Sequence, residues 1–182
     1  MQISTTALPG LLIVEPRVFG DDRGFFFESF NQRAFDAAVG MHVAFVQDNH
    51  SHSSRGVLRG LHYQTAPHAQ GKLVRVARGS AFDVAVDIRR GSATFGKWAG
   101  VTLDANSQRQ LWIPPGFAHG FLALEDDTHF LYKTTDYYAK DCERAIVWND
   151  PAIGIVWPDL GMAPLLAAKD AAAVGLTQAD PY

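Results

Sequence analysis

Several side chains able to act as acids, bases or cations lie inside apolar, strand-like stretches of the chain. Arg59 and His62 fall in R-G-L-H-Y-Q, Lys72 in G-K-L-V-R-V, His119 in P-P-G-F-A-H-G-F and Tyr132 in F-L-Y-K. Gln47, Asp48 and Asn49 follow one another in V-Q-D-N-H. A histidine, with an unperturbed pKa of ~6.5, is a base near neutral pH. A lysine supplies positive charge where negative charge develops, and a tyrosine hydroxyl can deliver a proton. Burying such groups without partners costs ~1–3 kcal/mol each, so a fold keeps them inside where they have partners or work to do.

Each also has an ordinary structural reading. His62 alone reads equally as a satisfied core histidine, and His119, just after Pro114-Pro115-Gly116, as a residue bonding turn backbone. Lys72 and Arg59 read as solvated edge-strand charges, Tyr132 as a core residue with its hydroxyl at the surface, and Arg23 as a loop cation. His50 and His52, in N-H-S-H-S, have a metal-like His-x-His spacing. The stretch reads as a polar loop with no carboxylate ligand nearby, which weighs against a metal. Cys142, in the polar K-D-C-E-R, reads as a bystander.

The elements that must position these residues are mostly strands. F-D-V-A-V-D-I puts Phe82, Val84, Val86 and Ile88 on one face and Asp83, Ala85 and Asp87 on the other, a half-buried strand. K-L-V-R-V-A-R precedes it and ends at Gly79-Ser80, so residues 72–88 are expected to form a hairpin. W-A-G-V-T-L, Q-L-W-I, H-G-F-L-A-L and F-L-Y-K-T-T follow, separated by turn-forming runs. Short strands at this spacing argue for an antiparallel sandwich or barrel. An early helix is expected, capped by Asn31, with Phe35 and Val39 at i and i+4 and Gly40 at its end. The Ala-rich stretch Leu165–Gly175 is expected to form short helices on the sheet.

The 182 residues, 47% of them hydrophobic, suit one domain with its own core. The single cysteine allows no intrachain disulfide and fits a reducing cytosol. A net charge of -3 lacks the basic excess of a nucleic-acid binder. The opening M-Q-I-S-T-T lacks a signal-peptide pattern, and no apolar run approaches the ~20 residues of a membrane span. These features predict a cytoplasmic protein that binds neither nucleic acid nor membrane.

Pro114, Gly116 and His119 resemble the second motif of the cupins, which implies a mainly β, antiparallel jelly-roll barrel with a few short helices. The matching first motif departs from metal-binding cupins, since Gln64 stands where the second histidine would be and no carboxylate lies between it and Gly71. The resemblance becomes specific over G-D-D-R-G-F-F-F-E-S-F, V-Q-D-N-H-S-H-S-S-R-G-V-L-R-G-L-H-Y-Q, F-D-V-A-V-D-I-R-R-G-S-A-T-F-G-K-W, Q-L-W-I-P-P-G-F-A-H-G-F and L-Y-K-T-T-D-Y-Y. These long, ordered segments, from about residue 3 to residue 170, resemble the dTDP-4-dehydrorhamnose 3,5-epimerase family.

That resemblance implies roles by position. His62 is the proton acceptor, Tyr132 the proton donor, Asp170 the partner of the histidine, and Lys72 the cation near the sugar ketone. Arg23, Glu28, Gln47, Asp48, Asn49, Arg59, His119, Glu143 and Lys169 match substrate-binding positions, and Tyr138 one that stacks on thymine. The implied substrate is a dTDP-4-keto-6-deoxyhexose, with no metal or organic cofactor. Both carbons flanking the ketone lose protons to give an enolate, which calls for a base, a cation and an acid together. Arginines suit the diphosphate, and an aromatic face suits thymine. Asp170, in A-A-K-D-A-A-A, would also suit a helix cap, and Asp83 is given no role.

Competing readings are a single-site epimerase acting at carbon 3 or 5, a silent nucleotide-sugar-binding cupin, and a metal-dependent dioxygenase. The family implies a homodimer, with an N-terminal strand at about residues 1–18 offered to the partner and a helical tail at about residues 163–182.

Overall fold

The alternation of apolar and polar residues across the middle of the chain folds as β structure in the computed structural model, which describes residues 1–180 and residue 182. One sheet has six strands. They are β1 (Gln2–Thr5), β2 (Leu12–Glu15), β5 (Gln47–Ser53), β7 (Lys72–Arg78), β10 (Gln110–Ile113) and β12 (Thr128–Thr134), ordered β1-β2-β10-β7-β12-β5. The second sheet has β6 (Leu58–Gln64), β8 (Ser80–Asp87), β9 (Trp98–Asp104), β11 (Phe117–Ala123) and β13 (Glu143–Ala145), ordered β13-β6-β11-β8-β9. A separate ribbon pairs β3 (Val18–Asp21) with β4 (Gly24–Phe27). The two large sheets face each other as an antiparallel jelly roll, without joining into one closed ladder among the described residues.

Between the sheets lies the main core, with Val74, Val76, Leu111 and Phe130 from the first sheet meeting Ala81, Ala85, Leu103 and Phe121 from the second. The rings of Phe121 and Phe130 stack across that interface, 4.0 Å between centroids and 5° from parallel. Phe130 is fully buried, so Phe130→Ala opens a cavity at the junction of the sheets. The expected loss is about 3–5 kcal/mol of stability, read by urea unfolding.

Two further apolar layers cover the outer faces. Helix α1 (Gln32–Val39) lays Phe35 against Trp112 and Leu73 of the first sheet, with Val43 of the following loop packed beside it. The Asn31 side chain accepts from the Ala34 N–H, and Gly40 ends the helix in the left-handed region at φ 80°, as the sequence predicts. On the second sheet, the chain beyond β13 lays Ile146, Ile153 and Leu176 over Leu61, Val84 and Val86.

Four sequence expectations change. Residues 72–88 are not a hairpin, because β7 pairs with β10 and β12 while β8 pairs with β9 and β11. Gly79, at φ 73°, turns the corner from one sheet to the facing one, where a Cβ would stand 2.6 Å from Thr128 Oγ1. Strand β8 is buried on both faces rather than one, since the C-terminal segment covers its Val84-Val86-Ile88 side. His50 and His52 lie on the edge strand β5, not in a loop. The Ala-rich tail forms only one helical turn, α2 (Ala168–Ala171). Its flanks are drawn into sheet-like bonding, Leu165 with Gly56 and Leu58, and Val174 with Val147.

Candidate active site

The chain folds α2 against β6, and this contact builds the center of the site. His62 Nε2 lies 2.6 Å from Asp170 Oδ1, across 108 residues of sequence. The Asp170 side chain is 2% exposed and that of His62 24%, so the carboxylate is sealed while the imidazole edge is open. Asp170 Oδ2 also accepts from the Gly60 N–H at 3.4 Å. With its Nε2–H donated to Asp170, His62 keeps its free lone pair on Nδ1.

His62, Gln47, Asn49, Lys72, Tyr132, Tyr138 and Glu143 line one cleft between the sheets. Lys72 opens β7 and donates from Nζ to the His62 carbonyl at 3.4 Å. Tyr132 comes from β12, directly opposite Asn49 and Val74 in the ladder. At the rim, Glu143 accepts from the Tyr138 hydroxyl at 3.0 Å and from Lys169 Nζ at 2.8 Å. Gln47 Oε1 accepts from the Tyr138 N–H at 3.2 Å, tying β5 to the same rim.

The electrostatics suit proton transfer. Burial pushes His62 below the ordinary histidine value; Asp170 opposes this, while Lys72 and Lys169 add to it. Its imidazole is therefore neutral, and a base, at neutral pH. Burial lowers Lys72 to about 8, against the pull of Asp83 and Glu143. Burial raises Tyr132, despite Lys169 and Arg59 nearby, so its hydroxyl keeps its proton. Burial alone would raise Glu143, but the bonds from Lys169 and Tyr138 hold it below the usual carboxylate range.

A pH profile follows from these directions. For a reaction that uses His62 as base and the Lys72 charge, activity should fall as acid protonates His62, at a pH below the ordinary ~6.5 of histidine. It falls again as Lys72 loses its charge near pH 8. The expected kcat/KM profile is a bell, and Lys72→Arg, which keeps its charge at high pH, should remove the alkaline limb.

The other sequence-assigned residues divide. His119 stands opposite His62 on β11, buried, with Nε2 2.8 Å from Asp83 Oδ2. Arg59 turns toward β5, donating to Ser53 Oγ and the His52 carbonyl. Asp48 points away from the cleft and pairs with Lys133 at 2.9 Å, because alternation along β5 sends it to the face opposite Gln47 and Asn49. Arg23 sits at the exposed tip of the β3–β4 ribbon, bonded to Asp21, and Glu28 follows the ribbon, also exposed. Neither lines the cleft of this chain.

Sequence reasoning missed Asp83, which is fully buried. It holds His119, and its charge favors the protonated form of Lys72. The signal was a carboxylate alternating with Ala81 and Ala85 on the inward face of β8. Gln64, which stands where metal-binding cupins carry a histidine, commits its amide to protein backbone. Its Nε2 donates to the His68 carbonyl at 2.6 Å, and its Oε1 accepts from the Ala139 N–H at 2.8 Å.

The cleft thus gathers groups that move protons, on the two-sheet jelly roll of the cupins. The class so defined is an isomerase working by proton transfer. A family model described as dTDP-4-dehydrorhamnose 3,5-epimerase matches residues 5–178, and the chain belongs to that family. The dTDP-4-dehydrorhamnose 3,5-epimerase of Pseudomonas aeruginosa is 61% identical over 182 residues, spanning 100% of this chain and 99% of the relative. That of Salmonella typhimurium is 60% identical, over 98% of this chain and 97% of the relative. The crystal structure of a Legionella pneumophila dTDP-6-deoxy-D-glucose-3,5-epimerase, in complex with dTDP-4-keto-L-rhamnose, superposes with a TM-score of 0.95. It is 51% identical, covering 98% of this chain and 94% of that one.

Proposed function

We propose that this cleft epimerises carbons 3 and 5 of dTDP-4-dehydro-6-deoxy-D-glucose, giving dTDP-4-dehydro-L-rhamnose, with His62 as base and Tyr132 as acid. The observation that carries the reading is the sealed His62–Asp170 pair opening on the same cleft as Lys72 and Tyr132. Both carbons are alpha to the carbon 4 ketone, so one base and one cation serve both. His62 Nδ1 takes the proton, and the Asp170 carboxylate stabilises the imidazolium that forms. Negative charge moves to the ketone oxygen, where Lys72 supplies the compensating charge. Tyr132 returns a proton from the other side of the sugar ring. Gln47, Asn49, His119, Arg59, Glu143 and Lys169 hold the sugar and its handle, with Tyr138 against thymine.

The same reading makes the protein a homodimer. Arg23, Glu28 and the exposed Phe25 and Phe26 lie on or beside a ribbon that leaves this chain's cleft. As binders of the nucleotide they act in the cleft of a second copy. Asp48 contributes through its neighbors on β5 rather than by facing the cleft. The described residues hold no helix long and apolar enough to cross a membrane.

Product analysis tests the reading. NMR of the reaction on dTDP-4-keto-6-deoxyglucose should show inversion at both carbons. Tyr132→Phe should slow formation of the carbon 5-inverted product about 10²-fold, within the range of one positioned acid, while proton removal by His62 continues. Doubly inverted product from Tyr132→Phe at the native rate would take the donor role away from Tyr132.

A further inference from the structure

The edge of the first sheet carries a second cluster of polar groups that the epimerisation does not use. His50 and His52 are two residues apart on β5 and so project from one face of the strand. In the antiparallel ladder His52 stands directly opposite His129 of β12. Just before β12, Asp127 turns its carboxylate onto this pair, with Oδ1 2.7 Å from His52 Nε2 and 3.5 Å from His129 Nε2. These three ligand atoms all lie within 4.8 Å of one another, the one such group among the described residues.

We propose that His52, His129 and Asp127 form a binding site for a divalent first-row transition metal such as Zn2+, separate from the cleft. The donor set is two imidazoles and one carboxylate, which suits Zn2+, Ni2+ or Cu2+ and leaves the fourth position to water. Tetrahedral ligands at Zn2+ stand about 3.3–3.5 Å apart, given bond lengths of ~2.0–2.2 Å. The His129–Asp127 spacing of 3.5 Å already matches, the His52–Asp127 spacing of 2.7 Å has to open by less than about 1 Å, and the His52–His129 pair lies within 4.8 Å.

The surroundings orient the ligands. His50 Nε2 lies 2.9 Å from His129 Nδ1, which fixes the ring with its Nε2 toward Asp127. Arg78 Nη2 holds the other carboxylate oxygen, Oδ2, at 2.7 Å and leaves Oδ1 to the histidines. Such partners of a ligating histidine commonly tune affinity 10–100-fold. The side chains of His52 and Asp127 are 58% and 43% exposed, so an ion reaches them from solvent. The nearest cleft residue on β5 is Asn49, three residues away or roughly 10 Å of extended strand, and His50 and His52 project from the opposite face, so the ion would clip the β5–β12 edge rather than meet the sugar.

The test uses the tag-free full chain, stripped with EDTA and then freed of it, titrated with Zn2+ against a chromophoric chelator. The expected result is one Zn2+ per chain, and a rise in melting temperature with Zn2+. His52→Ala/His129→Ala and Asp127→Asn should each abolish that saturable site while leaving epimerase activity native, which also shows they fold. His50→Ala should weaken it about tenfold, and His62→Ala should leave it intact. No stoichiometric uptake by the native chain would overturn the proposal. So would a site that survives in both the double variant and Asp127→Asn, or one that disappears with His62→Ala.

Discussion

His62→Ala should lower kcat/KM by about 10⁴-fold, the upper end of what one positioned acid–base group contributes. The size follows from the geometry. His62 lines the cleft, and its burial keeps it neutral and able to accept a proton at neutral pH. In the proposed mechanism the same imidazole serves both carbons, so neither half-reaction has a substitute. Removing it leaves Asp170 buried with only the long Gly60 N–H contact, a loss of about 1–3 kcal/mol in stability. His62→Gln separates the two effects, because its amide can still donate to Asp170 but takes up no proton. Steady-state kinetics should show the same loss in both variants, with the melting temperature nearer native for Gln.

The second large effect is at Lys72. Lys72→Met keeps the length and the apolar stem but removes the charge from a site where burial already depresses the ammonium to about 8. Charge stabilisation of a developing oxyanion is commonly worth 10²–10³-fold in kcat, and that is the expected loss. Because the enolate charge appears only in the reaction, kcat should fall more than KM rises. A change confined to KM would mean that Lys72 binds the ground state and that another group carries the enolate.

The strands from Trp98 to Thr134 were legible because they are short apolar runs spaced by Gly/Pro/Asp-rich separators. Gly79-Ser80 marks a turn but not whether the strands it joins pair, and for that reason β7 and β8 were read as a hairpin although they belong to opposite sheets. Helix α1 was legible to the residue, since Asn31 and Gly40 are chemically suited to its two ends. The helical tail was overread: alanines favor helix locally, but tertiary bonding of Leu165 and Val174 leaves room for one turn.

The site was legible through its segments rather than through spacing. His62, Lys72, Tyr132, Tyr138 and Glu143 come from four separate stretches, with Tyr132 and Tyr138 sharing one, and no periodicity links them. The His62–Asp170 contact spans 108 residues, and the His52–Asp127 contact 75, so neither carboxylate could be matched to its histidine from local sequence. Asp83 was visible as a lone acid on an inward face but acquired a meaning only when His119 and Lys72 were found around it. Arg23 and Glu28 lie outside the cleft of a single chain, on or beside the β3–β4 ribbon.

The most direct measurement of the central claim is proton exchange itself. The protein and dTDP-4-keto-6-deoxyglucose are incubated in heavy water without a reductase, and deuterium is followed by mass spectrometry and NMR. The account predicts deuterium at both carbon 3 and carbon 5 with the native chain, and at neither with His62→Ala. Deuterium entering both carbons at the native rate in His62→Ala would contradict it, because the base would then be some other group.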